Sequence, residues 1–217
     1  MAAYAAAWAI GIGFGYGLKR THWWDTGAPW EYGVLRAFHQ SFPDWLDLAM
    51  RGSVYLGTNL VILPAMILLG LFLWRVKHAP LTGLHLLVVC VGALSMNGTM
   101  KWLLSRDRPT LYPPRGLYAW ASFPSGHLIL TTSLYFTVAL MLHRLRGWRW
   151  PYAFATFMVL LTCYSRLYLS VHWPTDLIGG ILIGVVWLIG SWKAFTSFEL
   201  RHRARREAPA SRSPAPA

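Results

Sequence analysis

The chain has 217 residues, of which 55% are hydrophobic and only 13% charged, with a mean hydropathy of +0.38. That balance excludes an ordinary soluble domain and describes an all-α, polytopic membrane helical bundle. The net charge of +12 does not point to nucleic acid, because the basic residues fall in short clusters beside apolar runs and in the tail, as membrane-flanking charges do.

Six apolar stretches approach the roughly 20 residues needed to cross about 30 Å of hydrocarbon. The first, Ala2 to Leu18, is read as a retained span and not a removed signal peptide. Its glycines 11, 13, 15 and 17 form two small-xxx-small pairs suited to close helix packing. A polar segment follows, His22 to Arg51, in which Trp23, Trp24 and Trp30 suit the headgroup level. Pro29 can open a helix there with Trp30, Val34, Phe38 and Phe42 on one face and Glu31, Arg36 and Gln40 elsewhere. This is a helix on the membrane surface between spans one and two or, alternatively, a packed loop.

The second span is Val54 to Trp74, with Pro64 inside it, and the third is Leu81 to Leu104. His85 in the third span is expected to be a structural histidine bonded to a neighbouring helix. Cys90 and Cys163 are expected to be packing residues, with no disulfide or thiolate metal site. A proline-rich loop leads to the fourth span, Leu128 to Leu142; the fifth is Pro151 to Leu169 and the sixth Asp176 to Trp192. Residues 1–200 are thus one six-span domain, and 201–217 a basic, Ala/Pro-rich tail expected to be disordered.

Two crossings separate the loop after span three from the loop after span five, so both emerge on one side of the membrane. Lys and Arg on the side of the termini outnumber those opposite once Lys101, Arg108 and Arg166 are committed to a site. The positive-inside rule then puts both termini in the cytoplasm and the site on the outer face of the cell (inner) membrane.

Three polar blocks converge on that face. Lys101 and Arg108 are separated by close to two helical turns and can share a face, although Pro109 biases Arg108 toward extended backbone. Two cations aimed at one point suit an anion such as phosphate; alternatively they are snorkelling anchors. In Pro124-Ser125-Gly126-His127, Ser125 is a natural N-cap and Gly126 permits close backbone approach. The amides and dipole of that helix start form an anion site, with His127 placed to give or take a proton. The third block supplies Arg166, His172 and Asp176. If Pro174 starts a helix, Asp176 lies one turn from His172 and can hold one imidazole nitrogen protonated, freeing the other as a nucleophile. The duller reading of that pair is a surface ion pair.

Lys-x6-Arg-Pro, Pro-Ser-Gly-His and Ser-Arg-x5-His-x3-Asp, in that order, resemble the three-part signature of the type 2 phosphatidic acid phosphatase superfamily. The resemblance runs from about Asp44 to Trp192, and no signature position departs from the pattern. It implies an integral-membrane lipid phosphatase acting on undecaprenyl pyrophosphate, phosphatidylglycerophosphate or phosphatidate. In this resemblance His172 attacks phosphorus, Asp176 orients it, and His127 protonates the leaving oxygen and then assists water. Lys101, Arg108, Arg166, Ser125 and Gly126 bind phosphoryl oxygens. No cofactor and no metal are expected, since the nearest other acid, Asp107, reads as the salt partner of Arg106. The expected partners are the bilayer and the lipid phosphate; the oligomeric state stays open. A phosphotransferase using the same phosphohistidine, and an idle lipid-binding protein, are the alternatives.

Overall fold

The apolar runs that charged turns separate are helices in the computed structural model, which describes residues 1–39, 43–53, 55, 59–113 and 120–207. The helices are α1 (Ala2–Lys19), α2 (Pro29–Phe38), α3 (Asp44–Ser53), α4 (Asn59–Arg75), α5 (Pro80–Leu104), α6 (Gly126–Arg146), α7 (Trp150–Tyr168) and α8 (Pro174–Glu207). No strand occurs among the described residues. Expected features at Gln40 and Phe42, at 54 and 56–58 where the second span was to begin, and at 114–119 and 208–217 lie outside the described residues.

Local chemistry sets the boundaries. Pro80, Pro151 and Pro174 sit in the first turns of α5, α7 and α8, where a missing N–H costs nothing and φ is already helical. α6 ends at Gly147, whose φ of 71° is the left-handed cap that glycine adopts freely.

α8 packs against α6, α1 and α5, while α7 lies on α6 and α4 on α5. Small residues make these approaches close. A Cβ at Gly11 would lie 2.6 Å from Met100, and one at Gly15 2.5 Å from Leu104, whereas Gly13 and Gly17 face open space. Only one of the two expected small-residue pairs in α1 is therefore a packing face. In α8, a Cβ at Gly180 would meet the Ser125 carbonyl at 2.7 Å, and one at Gly184 would meet Thr132 at 2.9 Å. α8 thus presses on the first turns of α6.

Among the described residues, three helices are long and apolar enough to cross a membrane: Pro80–Leu104, Gly126–Arg146 and Pro174–His202; Val61–Arg75 is a shorter apolar helix. Leu68, Val91, Phe157 and Leu160 are exposed, while Thr131, Ser133 and Thr137 are buried. Those three hydroxyls donate to the carbonyl four residues back, within their own helix. Apolar side chains outside, and buried hydroxyls bonded within their own helix, suit a chain solvated by lipid.

Several expectations change. α2 is a helix, but packed against α7 and α8, and its fully buried residues are Glu31 and Leu35, while Trp30 is exposed. Trp24 is buried inside the protein. His85 stacks on Phe195, with ring centroids 4.5 Å apart, and its Nε2 finds no hydrogen-bond partner among the described residues. Helix α8 runs through Glu207, past the expected domain boundary at residue 200. Just before that boundary, Glu199 forms an ion pair at 2.7 Å with Arg144 of α6. At about 1.5 Å per residue the 34 residues of α8 span about 50 Å, well beyond a hydrocarbon core of about 30 Å.

Candidate active site

The C-terminal ends of α5 and α7 and the N-terminal ends of α6 and α8 meet at one end of the bundle, and every site residue expected from the sequence lies there. Lys101, in the last turn of α5, is buried and donates to the carbonyls of Ala121 (2.5 Å) and Ser122 (3.3 Å). The expected helical face shared with Arg108 is absent. α5 stops at Leu104, and Ser105 takes a left-handed conformation (φ 48°, ψ 47°) that turns the chain. Arg108 returns from the loop, donating to the Ala121 carbonyl at 2.9 Å and to that of Val171. The two cations converge on one carbonyl through the turn, not along a helix.

Ser125 is the N-cap of α6, but its side chain makes no capping bond and its Oγ has no partner among the described residues. Its amide donates to the Asp176 carbonyl at 3.1 Å. The amides of Gly126 and His127 are the remaining donors of that first turn. A Cβ at Gly126 would lie 2.5 Å from the Asn97 side chain, so glycine serves the approach of α6 to α5 here. His127 Nε2 is buried without a hydrogen-bond partner among the described residues. Arg166, Lys101, Arg108 and His172 are all close enough to act on it electrostatically.

Arg166, in the last turn of α7, is 2% exposed. Its Nη2 donates to Ser165 Oγ at 3.4 Å and its Nε has no partner among the described residues. His172 lies between α7 and α8 and is buried. Burial first, then the charges of Arg108, Lys101 and Arg166, push its imidazole well below the ordinary histidine range, against a smaller opposing hydrogen bond to the Ser122 backbone. The ring is therefore neutral at physiological pH, as a nitrogen nucleophile requires.

Asp176 sits in the first turn of α8, one turn from His172, as Pro174 predicted. Its Oδ2 accepts from the Trp173 amide at 2.8 Å, a reach back to the helix start, and stands 3.5 Å from His172 Nδ1. At that separation the His172 contact is electrostatic attraction, longer than a formed hydrogen bond.

Sequence reasoning assigned Arg106 the wrong partner. Asp107 is exposed, and among the described residues only its backbone carbonyl is engaged, by Ser122 Oγ and Trp173 Nε1. Arg106 turns inward and is 1% exposed. Its Nη1 donates to Asp176 Oδ1 at 2.8 Å and Thr175 Oγ1 at 2.6 Å, and its Nε to the Trp24 carbonyl at 2.7 Å. Its Nη2 meets Glu31 Oε2 at 3.3 Å. Trp24 and Trp173 lie over its guanidinium at 5.2 and 5.4 Å.

Glu31, on α2, is the second acid of this end and was also missed. It accepts from the Ala28 amide at 2.9 Å and from the amide (3.1 Å) and hydroxyl (2.7 Å) of Thr175. One signal was available: it is the only acid between Pro29 and Pro43, three residues into a helix that a proline opens. Among the described residues no three His, Cys, Asp or Glu side chains are gathered as a metal ion would need.

Such an arrangement can hold a tetrahedral anion against a neutral imidazole. Residues 82–199 match the family model described as the PAP2 superfamily. The chain is 30% identical over 149 residues to phosphatidylglycerophosphatase B of Bacillus subtilis, across 65% of this chain and 71% of that protein. It is 29% identical over 152 residues to an undecaprenyl-diphosphatase of Sulfolobus acidocaldarius, across 66% of this chain and 65% of that one. Its fold is similar to the crystal structure of a transmembrane PAP2-type phosphatidylglycerolphosphate phosphatase from Bacillus subtilis, with a TM-score of 0.74 at 24% identity, covering 93% of this chain and 98% of that one.

Proposed function

The chain belongs to the PAP2 superfamily, and on that premise we propose that it is an integral-membrane lipid phosphatase working through a phosphohistidine on His172. The observation that carries this reading is a buried His172 3.5 Å from Asp176, in the field of Lys101, Arg108 and Arg166. The substrate class is a lipid phosphate or diphosphate such as undecaprenyl pyrophosphate, phosphatidylglycerophosphate or phosphatidate. Its relatives carry names of that kind, and a site at helix ends lets a head group meet water while its tail stays in lipid.

In the proposed reaction the phosphoryl group lies among Lys101, Arg108, Arg166, the Ser125 hydroxyl and the first-turn amides of α6. A lone pair of the His172 ring attacks phosphorus, and the bond to the leaving oxygen breaks. Its electrons go to that oxygen, which takes a proton from His127. A water then attacks the phosphohistidine, gives its proton to His127, and returns the P–N electron pair to His172. Three cations and a helix start stabilise the equatorial oxygens, the main requirement of phosphoryl transfer, so divalent metal is not required.

In this reading α1, α4, α5, α6, α7 and α8 are six crossings, with both termini cytoplasmic and the site outside. A fluorescent reporter after Ala217 that matures only in the cytoplasm is expected to light up; a dark cell inverts the orientation. The function is tested by phosphate release from a panel of the three lipids by purified protein, with chelator and no acceptor alcohol. Release from at least one of them is expected. Absolute dependence on added divalent metal, or on an acceptor, contradicts the proposal.

A further inference from the structure

We infer that Arg106 is a positioning residue for the reaction, fixing Asp176 beneath the nucleophile, and that Glu31 of α2 fixes Arg106 in turn. The inference rests on the reading of His172 as nucleophile and Asp176 as its orienting carboxylate.

The geometry assigns the two oxygens of Asp176 different work. Oδ2 faces His172, while Oδ1 is taken by Arg106 at 2.8 Å. The carboxylate has no exposed surface, so without a buried counter-charge its ionised form would be strongly disfavoured. The charged or titratable groups that act on it are Arg106, His172 and Lys101. Of these only Arg106 makes a short, charge-assisted hydrogen bond to it. Lys101 is turned to the carbonyls of the 121–122 turn.

Arg106 itself is over-determined. Two tryptophan faces, the Trp24 carbonyl, the Thr175 hydroxyl and two carboxylates leave the guanidinium one position. Glu31 closes the ring: it binds Arg106 with one oxygen and, with the other, the amide and hydroxyl of Thr175, the residue next to Asp176. Helix α2 is thus tied to the start of α8, and through it to the aim of Asp176. A guanidinium flanked by two carboxylates and enclosed in this way is not placed to bind a substrate phosphate, which separates it from Lys101 and Arg166.

The test compares Arg106→Gln, Arg106→Lys and Glu31→Gln with wild type in detergent, measuring kcat, KM, inhibition by inorganic phosphate and the pH profile of kcat/KM. Arg106→Gln is expected to lower kcat about 100-fold, the scale of a catalytic group misplaced by an ångström. Phosphate inhibition should stay within about threefold, because the anion-binding cations remain in place. Its acid limb should move to higher pH, since the carboxylate loses its counter-charge. Arg106→Lys should recover part of the rate, and Glu31→Gln should cost about tenfold, the scale of one charge-assisted hydrogen bond. Parallel loss of kcat and phosphate inhibition, with no rescue by lysine, would make Arg106 merely structural and overturn the inference. So would full activity of Arg106→Gln. His172→Ala, run beside these, separates the failures: an active His172→Ala refutes the phosphohistidine reading itself, whereas an inactive one beside an active Arg106→Gln refutes only the positioning role.

Discussion

Arg106 and Arg166 are both buried guanidinium groups at the same end of the bundle, 1% and 2% exposed, yet their surroundings are opposite. Arg106 is paired with Glu31 and Asp176 and also donates to the Trp24 carbonyl and the Thr175 hydroxyl. Arg166 rests against a serine hydroxyl at 3.4 Å, and its Nε has no partner among the described residues. Burying a cation without a carboxylate is costly, and an anion arriving from outside recovers that cost. The difference sorts a cation that holds the machinery from one that awaits the substrate.

The comparison can be broken at several points. His172→Ala removes the group both arginines serve, and phosphate release should fall at least about a thousandfold. A fall of only a few-fold in the lipid assay would leave the contrast without a function. Arg166→Gln should lower kcat/KM about 100-fold, as loss of one oxyanion donor does, and should weaken inhibition by inorganic phosphate in parallel. Unchanged phosphate inhibition would put Arg166 in the same class as Arg106.

The pH profile gives a finer test. His172 must be neutral to attack, and Arg108 is, after burial, the largest influence holding its proton affinity down. Replacing Arg108 with Gln therefore raises the pKa of His172, and activity should be lost at a higher pH on the acid side than in wild type. An acid limb that does not move, or moves down, contradicts the assigned field.

Gly180→Ala touches the frame instead of the charges. Its Cβ would press on the Ser125 carbonyl at 2.7 Å, which is backbone and has little room to yield, so a destabilisation of about 1–3 kcal/mol is expected. Thermal unfolding in detergent would show it, alongside reduced turnover from a displaced α6 start. The smallest effect is expected at the opposite end of the bundle. Arg144→Ala removes a partly exposed ion pair with Glu199, and both melting temperature and phosphate release should stay close to wild type.

Much of this end was legible because its chemistry is written in short range. Ser125 precedes the helix that begins at Gly126, and Pro174 opens the helix that carries Asp176 one turn from His172. Length and hydropathy located the long helices. The Lys101–Arg108 relation was misread because helical spacing was extended through Ser105, whose left-handed turn ends α5 and sends Arg108 back as a loop residue. Glu31 and Arg106 were missed for a different reason. Their partners lie far along the chain, and sequence neighbours such as Asp107 offer a nearer pairing that exposure makes less useful than a buried one. Trp24 shows the same limit: an amphipathic ring suits a headgroup region equally well in composition, but here it covers a buried cation.

The central claim is that His172 carries the phosphoryl group, and the direct measurement is to find it there. Wild-type protein mixed with a phosphorus-labelled lipid substrate and quenched rapidly in base should hold label in an alkali-stable, acid-labile bond that peptide mapping places on His172, and His172→Ala should hold none. Full-rate phosphate release with no label on the protein at any quench time, or label that maps to another residue, would contradict the account.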